Sequence, residues 1–319
     1  MVSISWSKRI KNGKLNIAIF VVLLYLLLQR VTKEAATVLR ITKEADTVLQ
    51  ITKQAAKGLK LQTKTVPSEP TECSSEDLYH NPLHFTNCTR RHESPSCQPR
   101  QTENWDHWVA DRYNKYDGKC VTPELMTKTG ETWAISGRGS SLKATAEIRA
   151  LLDHILHDPS LGINTFLDCP CGDWLWIQTV NLTGVQYFGA DITQKTVDEN
   201  TKCFERDDVH FHHLDWSCTI PPPVDLIMAR DVLFHLSTSV VLDILRHINR
   251  SGAKYLLSTT SFNTTSKVDN FKRDAIDYRD INLYGPPFNL PKPVMTTDKD
   301  DVNQPRHMAL WKLPIVLDE

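Results

Sequence analysis

The chain has 319 residues, 37 Lys+Arg against 38 Asp+Glu for a formal net charge of −1, 40% hydrophobic residues, and 8 Cys, 12 Gly and 17 Pro. That length holds one domain of about 200 residues plus appendages, and the composition excludes a disordered, collagenous or wholly coiled-coil chain. A balance this close to neutral also argues against a general nucleic-acid binder, which needs a basic surplus to displace counterions from phosphates.

The first element is an uncharged apolar run, Leu15 to Leu28, preceded by Lys8, Arg9, Lys11 and Lys14. As a helix it rises only about 21 Å, short of the ~30 Å hydrocarbon core. Lys14 and Arg30 can snorkel and Val31 lengthens the stretch, so residues 15–31 read as a signal-anchor helix behind a cytosolic tail, residues 1–14. Gln29-Arg30-Val31-Thr32-Lys33 offers no small-x-small site, which disfavours a cleaved signal peptide. Basic residues flank both ends of the run, so orientation rests on other features. Glycosylation sequons begin at Asn87, Asn181, Asn249 and Asn263, and Cys73, Cys88, Cys97 and Cys120 lie in a Pro-rich polar stretch suited to disulfides in an oxidising lumen. The expected layout is a type II membrane protein of the Golgi or endoplasmic reticulum. Three pairings of those four cysteines stay open.

Residues 31–60 are ten-residue repeats (VTKEAATVLR, ITKEADTVLQ, ITKQAAKGLK) with an apolar stripe close to helical spacing, which places a stem over residues 32–65. They read as a helical stem acting as a spacer, with self-association through the stripe as the alternative. Pro67 and Pro70 end the stem, and residues 66–129 form the Cys/Pro-rich luminal segment.

From residue 130 the pattern is that of an α/β domain reaching residue 319. Leu142–His157 has the spacing of an amphipathic helix stopped before Pro159. Strands are expected at Asn164–Leu167, Gln186–Ala190, Val209–Leu214, Asp225–Ala229 and Lys254–Thr259, and helices at Trp174–Val180, Gln194–Phe204 and Thr238–Asn249. Met308–Leu313 reads as a closing strand. Such alternation implies a Rossmann-like, doubly wound, mostly parallel sheet whose ligands bind at the carboxyl ends of the strands.

Those strand ends carry acids. The first runs Leu167-Asp168-Cys169-Pro170-Cys171-Gly172-Asp173, a tight loop in which Gly172 permits close backbone approach. The second ends at Asp191, where a carboxylate suits the two hydroxyls of a ribose. The third ends at Asp215-Trp216, a carboxylate for an amino group and an indole for stacking on a purine. After the fourth strand, Arg230-Asp231-Val232-Leu233-Phe234-His235 places Asp231 and His235 on one face if a helical turn starts there. His235, oriented by Asp231, would then serve as a base for an alcohol acceptor. Cys169 and Cys171 lack a partner pair at metal-ligand spacing and read as buried thiols, and the cluster His210, His212, His213 is split by strand alternation. No metal is expected. Tyr278, Arg279, Asn282, Tyr284 and Phe288, within Phe262–Lys299, are candidates for an acceptor wall.

In order and spacing, Leu167–Asp173, Asp191, Asp215-Trp216 and Val224–Leu236 resemble the motifs of class I S-adenosylmethionine-dependent methyltransferases. The resemblance covers residues 130–319. It implies S-adenosylmethionine as donor, with Asp168 and Gly172 on its methionine part, Asp191 on its ribose, Asp215 and Trp216 around its adenine, and Arg230 in the same site. Pro170 and Trp174 stand where the family loop has small residues. A nicotinamide-binding domain is disfavoured, because G-x-G-x-x-G is absent and Asp168 and Asp173 would repel a pyrophosphate. The expected activity is O-methylation of a glycan hydroxyl. The alternatives are a methyltransferase tethered on the cytosolic face that acts on a lipid or small metabolite, and an inactive domain that binds glycan or protein.

Overall fold

A computed structural model describes residues 73–91, 103–130, 134–262, 279–297 and 306–317. The expected tail, anchor and stem, together with Pro67, Pro70, Cys97, Asn263 and Tyr278, lie outside the described residues. Among the described residues, no helix is long and apolar enough to cross a membrane.

Short runs of apolar residues supply the strands β1 (Thr165–Asp168), β2 (Gln186–Asp191), β3 (Val209–His213), β4 (Leu226–Ala229), β5 (Tyr255–Thr260), β6 (Met295–Thr296) and β7 (His307–Lys312). They form one sheet in the order β3-β2-β1-β4-β5-β7-β6. The first five strands of that order pair in parallel. β7 runs antiparallel to β5, and β6 antiparallel to β7. Strand order therefore reverses between β1 and β4, the place where open α/β sheets leave a crevice at their carboxyl edge.

Both faces of the sheet are covered, which is why its strands are apolar throughout rather than alternating. Leu167, Phe188, Ile227, Leu256 and Trp311 face helix α7 (Thr238–Ser251), which buries Val241, Ile244, Leu245 and Ile248 against them. Their chain neighbours Phe166, Tyr187, Met228, Leu257 and Leu310 face the other way, towards helix α5 (Ala146–His157) with Ile148, Leu152 and Ile155. Helix α6 (Gln194–Phe204) has the expected bounds. α7 ends at Gly252, whose φ of 88° is a left-handed stop.

The Cys-containing segment belongs to this body. Residues 72–319 form one compact unit, so the boundary drawn at residue 129 falls inside it. Helices α1 (Ser75–His80) and α2 (Phe85–Cys88) insert Leu78 and Phe85 into the α7-side core. Phe85 stacks on His212 at 4.0 Å and on Phe188 at 5.0 Å. Burial of His212 in this stack pulls its pKa down to about 4. Helices α3 (Glu103–Asn114) and α4 (Pro123–Thr129) pack Val109, Tyr113 and Met126 against Ile135 and Leu175.

The cysteines pair as Cys73–Cys88 and Cys120–Cys203, and Cys218 is also disulfide-bonded. The expected closed set of four is thus corrected. Cys120 reaches across to the end of α6, a choice made by tertiary packing that sequence spacing does not carry. Cys169 and Cys171 are buried free thiols.

One expected helix is missing. Trp174–Val180 holds only a single 3-10 turn, Ile177–Thr179. Gly172 and Trp174 adopt left-handed φ of 54° and 55°, which no α-helix accommodates. The indole of Trp174 is instead buried among Tyr187, Phe204 and Phe211.

Candidate functional site

The loop after β1 is latched from three directions. Gly172 N–H donates to Asp191 Oδ2 at 3.2 Å, and Asn200 Nδ2 of α6 donates to Gly172 O at 2.7 Å. Asp173 N–H donates to Ser136 Oγ at 2.8 Å, while Ser136 N–H returns a bond to Asp173 Oδ2 at 3.2 Å. A Cβ on Gly172 would run into the Ser136 hydroxyl, so the position demands glycine for space as well as for φ.

This loop borders a cleft, partly open to solvent, at the carboxyl edge of the sheet. The structure brings Asp168, Gly172 and Asp191 together in its lining, joined by Asp173. All three carboxyls are buried, and burial pushes each above the usual carboxylate range. For Asp168 the rise reaches about 8, despite a hydrogen bond from the Tyr187 hydroxyl at 2.9 Å and the charge of Arg230. Asp191 Oδ1 accepts from Thr193 N at 2.9 Å and Thr193 Oγ1 at 2.8 Å. With Gly172 on Oδ2, three of its roughly four acceptor sites are used. One acceptor site remains open towards the cleft.

Arg230, Asp231 and His235 line the cleft from the β4 side. The helical turn expected there does not form. Asp231 has a left-handed φ of 54°, and only Leu233–His235 makes a 3-10 turn. The Asp231 carboxylate is held by Arg230 Nη1 at 3.2 Å and Arg306 Nη1 at 3.1 Å. It therefore does not orient His235, and the expected pairing is corrected. Asp231 instead fixes the turn: its N–H donates to Thr259 Oγ1 at 2.9 Å, and Arg230 Nη2 donates to Gly139 O at 3.0 Å.

Asp215 and Trp216 do not line the cleft. Asp215 Oδ1 turns back to accept from Ser217 N at 3.0 Å, and Trp216 is buried in the α7-side core, its carbonyl hydrogen-bonded to His247 Nδ1 at 2.8 Å. Ile192, Thr193 and Thr196 stand on that side of the cleft in their place. The proposed acceptor wall is also corrected, because none of its described residues lines the cleft. Phe288 is core, and Arg279 braces the loop before α7 through Leu236 O at 2.8 Å. Among the described residues, no group of three or more His, Cys, Asp or Glu is placed to hold a metal.

Sequence reasoning missed the wall given by α3, namely Trp108, Val109 and Tyr113. Arg112 stiffens it, lying 3.9 Å over the Trp108 ring and donating to Ile135 O at 2.8 Å. The signal was there: Val109 and Tyr113 are four apart and share one helix face. Tyr113 is 7% exposed and its hydroxyl has no hydrogen-bond partner among the described residues, so the cleft retains a buried polar group for a ligand to satisfy.

No protein-family profile matches the chain, and no curated protein does. Among solved structures it is similar to magnesium protoporphyrin IX methyltransferase from Synechocystis PCC 6803, at 18% identity and TM-score 0.36, covering 51% of this chain and 71% of that one. It is also similar to human N-acetylserotonin methyltransferase, at 13% identity and TM-score 0.37, covering 65% and 66%. A third is the mitomycin 7-O-methyltransferase MmcR, at 16% identity and TM-score 0.37, covering 60% and 66%. These likenesses concern the course of the backbone and do not bear on what this chain binds.

Proposed function

We propose that the chain is an S-adenosylmethionine-dependent methyltransferase of class I type that methylates a hydroxyl group, with a glycan in the secretory pathway as acceptor. The observation that carries this reading is the cluster of Asp168, Asp173 and Asp191, three buried carboxyls around one cleft at the point where strand order reverses. Buried acids without a full set of cations favour a positively charged ligand and repel a pyrophosphate. The sheet, parallel from β3 through β5 and covered on both faces, is the mostly parallel, doubly wound one that the sequence leads us to expect.

When bound, the donor supplies an electrophilic methyl carbon on a sulfonium sulfur. Asp168, Gly172 and Asp173 are the residues for its methionine part, and Asp191 for its ribose. Apolar walls from Val109, Pro170 and Ile192 exclude water. An attacking alcohol must lose its proton, and His235 is the lining residue suited to take it. Asp231 acts as a positioning residue, keeping Arg230 and the turn that carries His235 in place.

The disulfides Cys73–Cys88 and Cys120–Cys203 support an oxidising compartment and disfavour the cytosolic-face reading. Asn87 and Asn181 are exposed, whereas Asn249 holds Ile315 through both amide atoms, at 2.6 and 2.9 Å. Endoglycosidase treatment followed by peptide mapping should find glycan at Asn181 or Asn87 and none at Asn249. A bare chain from secretory membranes would overturn the luminal placement.

The activity is tested by incubating the full chain with methyl-labelled donor and a panel of glycans, lipids and peptides, followed by mass detection. A methylated glycan is expected. Donor binding without turnover on any acceptor would favour the non-catalytic reading.

A further inference from the structure

Among the described residues, Tyr113 is a side chain of the α3 wall whose polar atom is left unused. Its residue is 7% exposed, it lines the cleft, and its hydroxyl has no hydrogen-bond partner among the described residues. An orphaned hydroxyl inside a packed wall costs free energy that a ligand can recover.

The chemistry of its neighbours narrows the ligand group. Asp173 and Asp191 both add to burial in raising the proton affinity of the phenol, so the group stays protonated and acts as a donor. A negatively charged acceptor beside those two carboxyls would be repelled, whereas a neutral hydroxyl is not. Asp191 has one acceptor site left, and an alcohol hydroxyl offers one proton to give and lone pairs to receive.

We propose that Tyr113 binds the ribose of the nucleoside donor, its hydroxyl donating to a ribose hydroxyl whose own proton goes to Asp191. This rests on the methyltransferase reading and adds to it a ligand-binding role for the segment upstream of β1. That segment is stapled to the end of α6 by Cys120–Cys203, while Thr193 and Thr196 line the cleft at the start of that helix.

The test is calorimetric titration of full-length wild type and Tyr113→Phe, in detergent, with S-adenosylhomocysteine and its 2′-deoxy and 3′-deoxy analogues. Tyr113→Phe is expected to weaken S-adenosylhomocysteine about 5–10-fold, the cost of one hydrogen bond. That penalty should vanish with one deoxy analogue and persist with the other. The ligand-free variant should melt at or above the wild-type temperature, because no bond is lost and a buried unpaired hydroxyl is removed. Undiminished affinity in Tyr113→Phe, a penalty that persists with both analogues, or a lowered melting temperature overturns the assignment. Absence of binding by the wild type overturns the methyltransferase reading itself, and the ribose role with it.

Discussion

The two sides of the cleft are built differently. On the β1–β2 side, Asp168, Gly172, Asp173 and Asp191 sit at strand tips and are latched by near neighbours in the sheet and by Ser136 and Asn200. On the β4 side, Arg230, Asp231 and His235 ride an irregular turn whose left-handed Asp231 is held by Arg306, 75 residues further on. The first arrangement is latched by hydrogen bonds at its strand tips. The second depends on a distant chain segment, so under the proposed function it is the side that can change without disturbing the strand tips.

Substitutions on the two sides should therefore separate binding from turnover. The largest effect is expected for Asp191→Ala, which removes the proposed ribose contact and unlatches both Gly172 and Thr193; donor affinity should fall at least about 100-fold by calorimetry. Retained affinity would show that the strand-tip side is not the donor site. His235→Ala should leave donor affinity within about twofold while turnover drops by about 100-fold, the scale of a lost general base. Equal losses of binding in the two variants would erase the distinction between the sides.

Protonation sharpens it further. With Asp168 raised to about 8, a cationic donor meets an ionised partner only as pH rises, so affinity should climb by up to about tenfold per unit below pH 8 and level off above it. Asp168→Asn should flatten that slope. Stability runs the other way: the folded state holds the Asp168 proton that the unfolded chain has released, so its contribution falls from about pH 4 up to pH 8 and is constant beyond. The smallest effect is expected for Arg306→Met, about 1–2 kcal/mol of unfolding free energy, since Asp231 keeps Arg230 and is partly exposed. Chemical denaturation of the two proteins measures it.

What could be read from the sequence follows the same division. Strand positions, α6 and the acids at the first two strand tips were legible because apolar runs and their terminating residues are local signals. The helix expected at Trp174–Val180 failed because two left-handed residues and a buried indole override helical spacing. Asp215 and Trp216 occupy the expected place in the chain, but a two-residue turn to Ser217 and a core slot for the indole turn both away from the cleft. The Asp231–His235 pair failed for want of a helical turn, and Arg306 as the partner of Asp231 carried no sequence signal. Cys120–Cys203 and the α3 wall are tertiary facts, visible only once the segment upstream of β1 is folded onto the sheet.

The most direct measurement is a side-by-side titration of S-adenosylhomocysteine into wild type, Asp191→Ala and Asp215→Ala full-length protein. Binding by the wild type and by Asp215→Ala with closely similar affinity, and its loss in Asp191→Ala, is the expected result. Loss in Asp215→Ala comparable to that in Asp191→Ala, or no binding by the wild type, would contradict a donor site built on the first two strand tips.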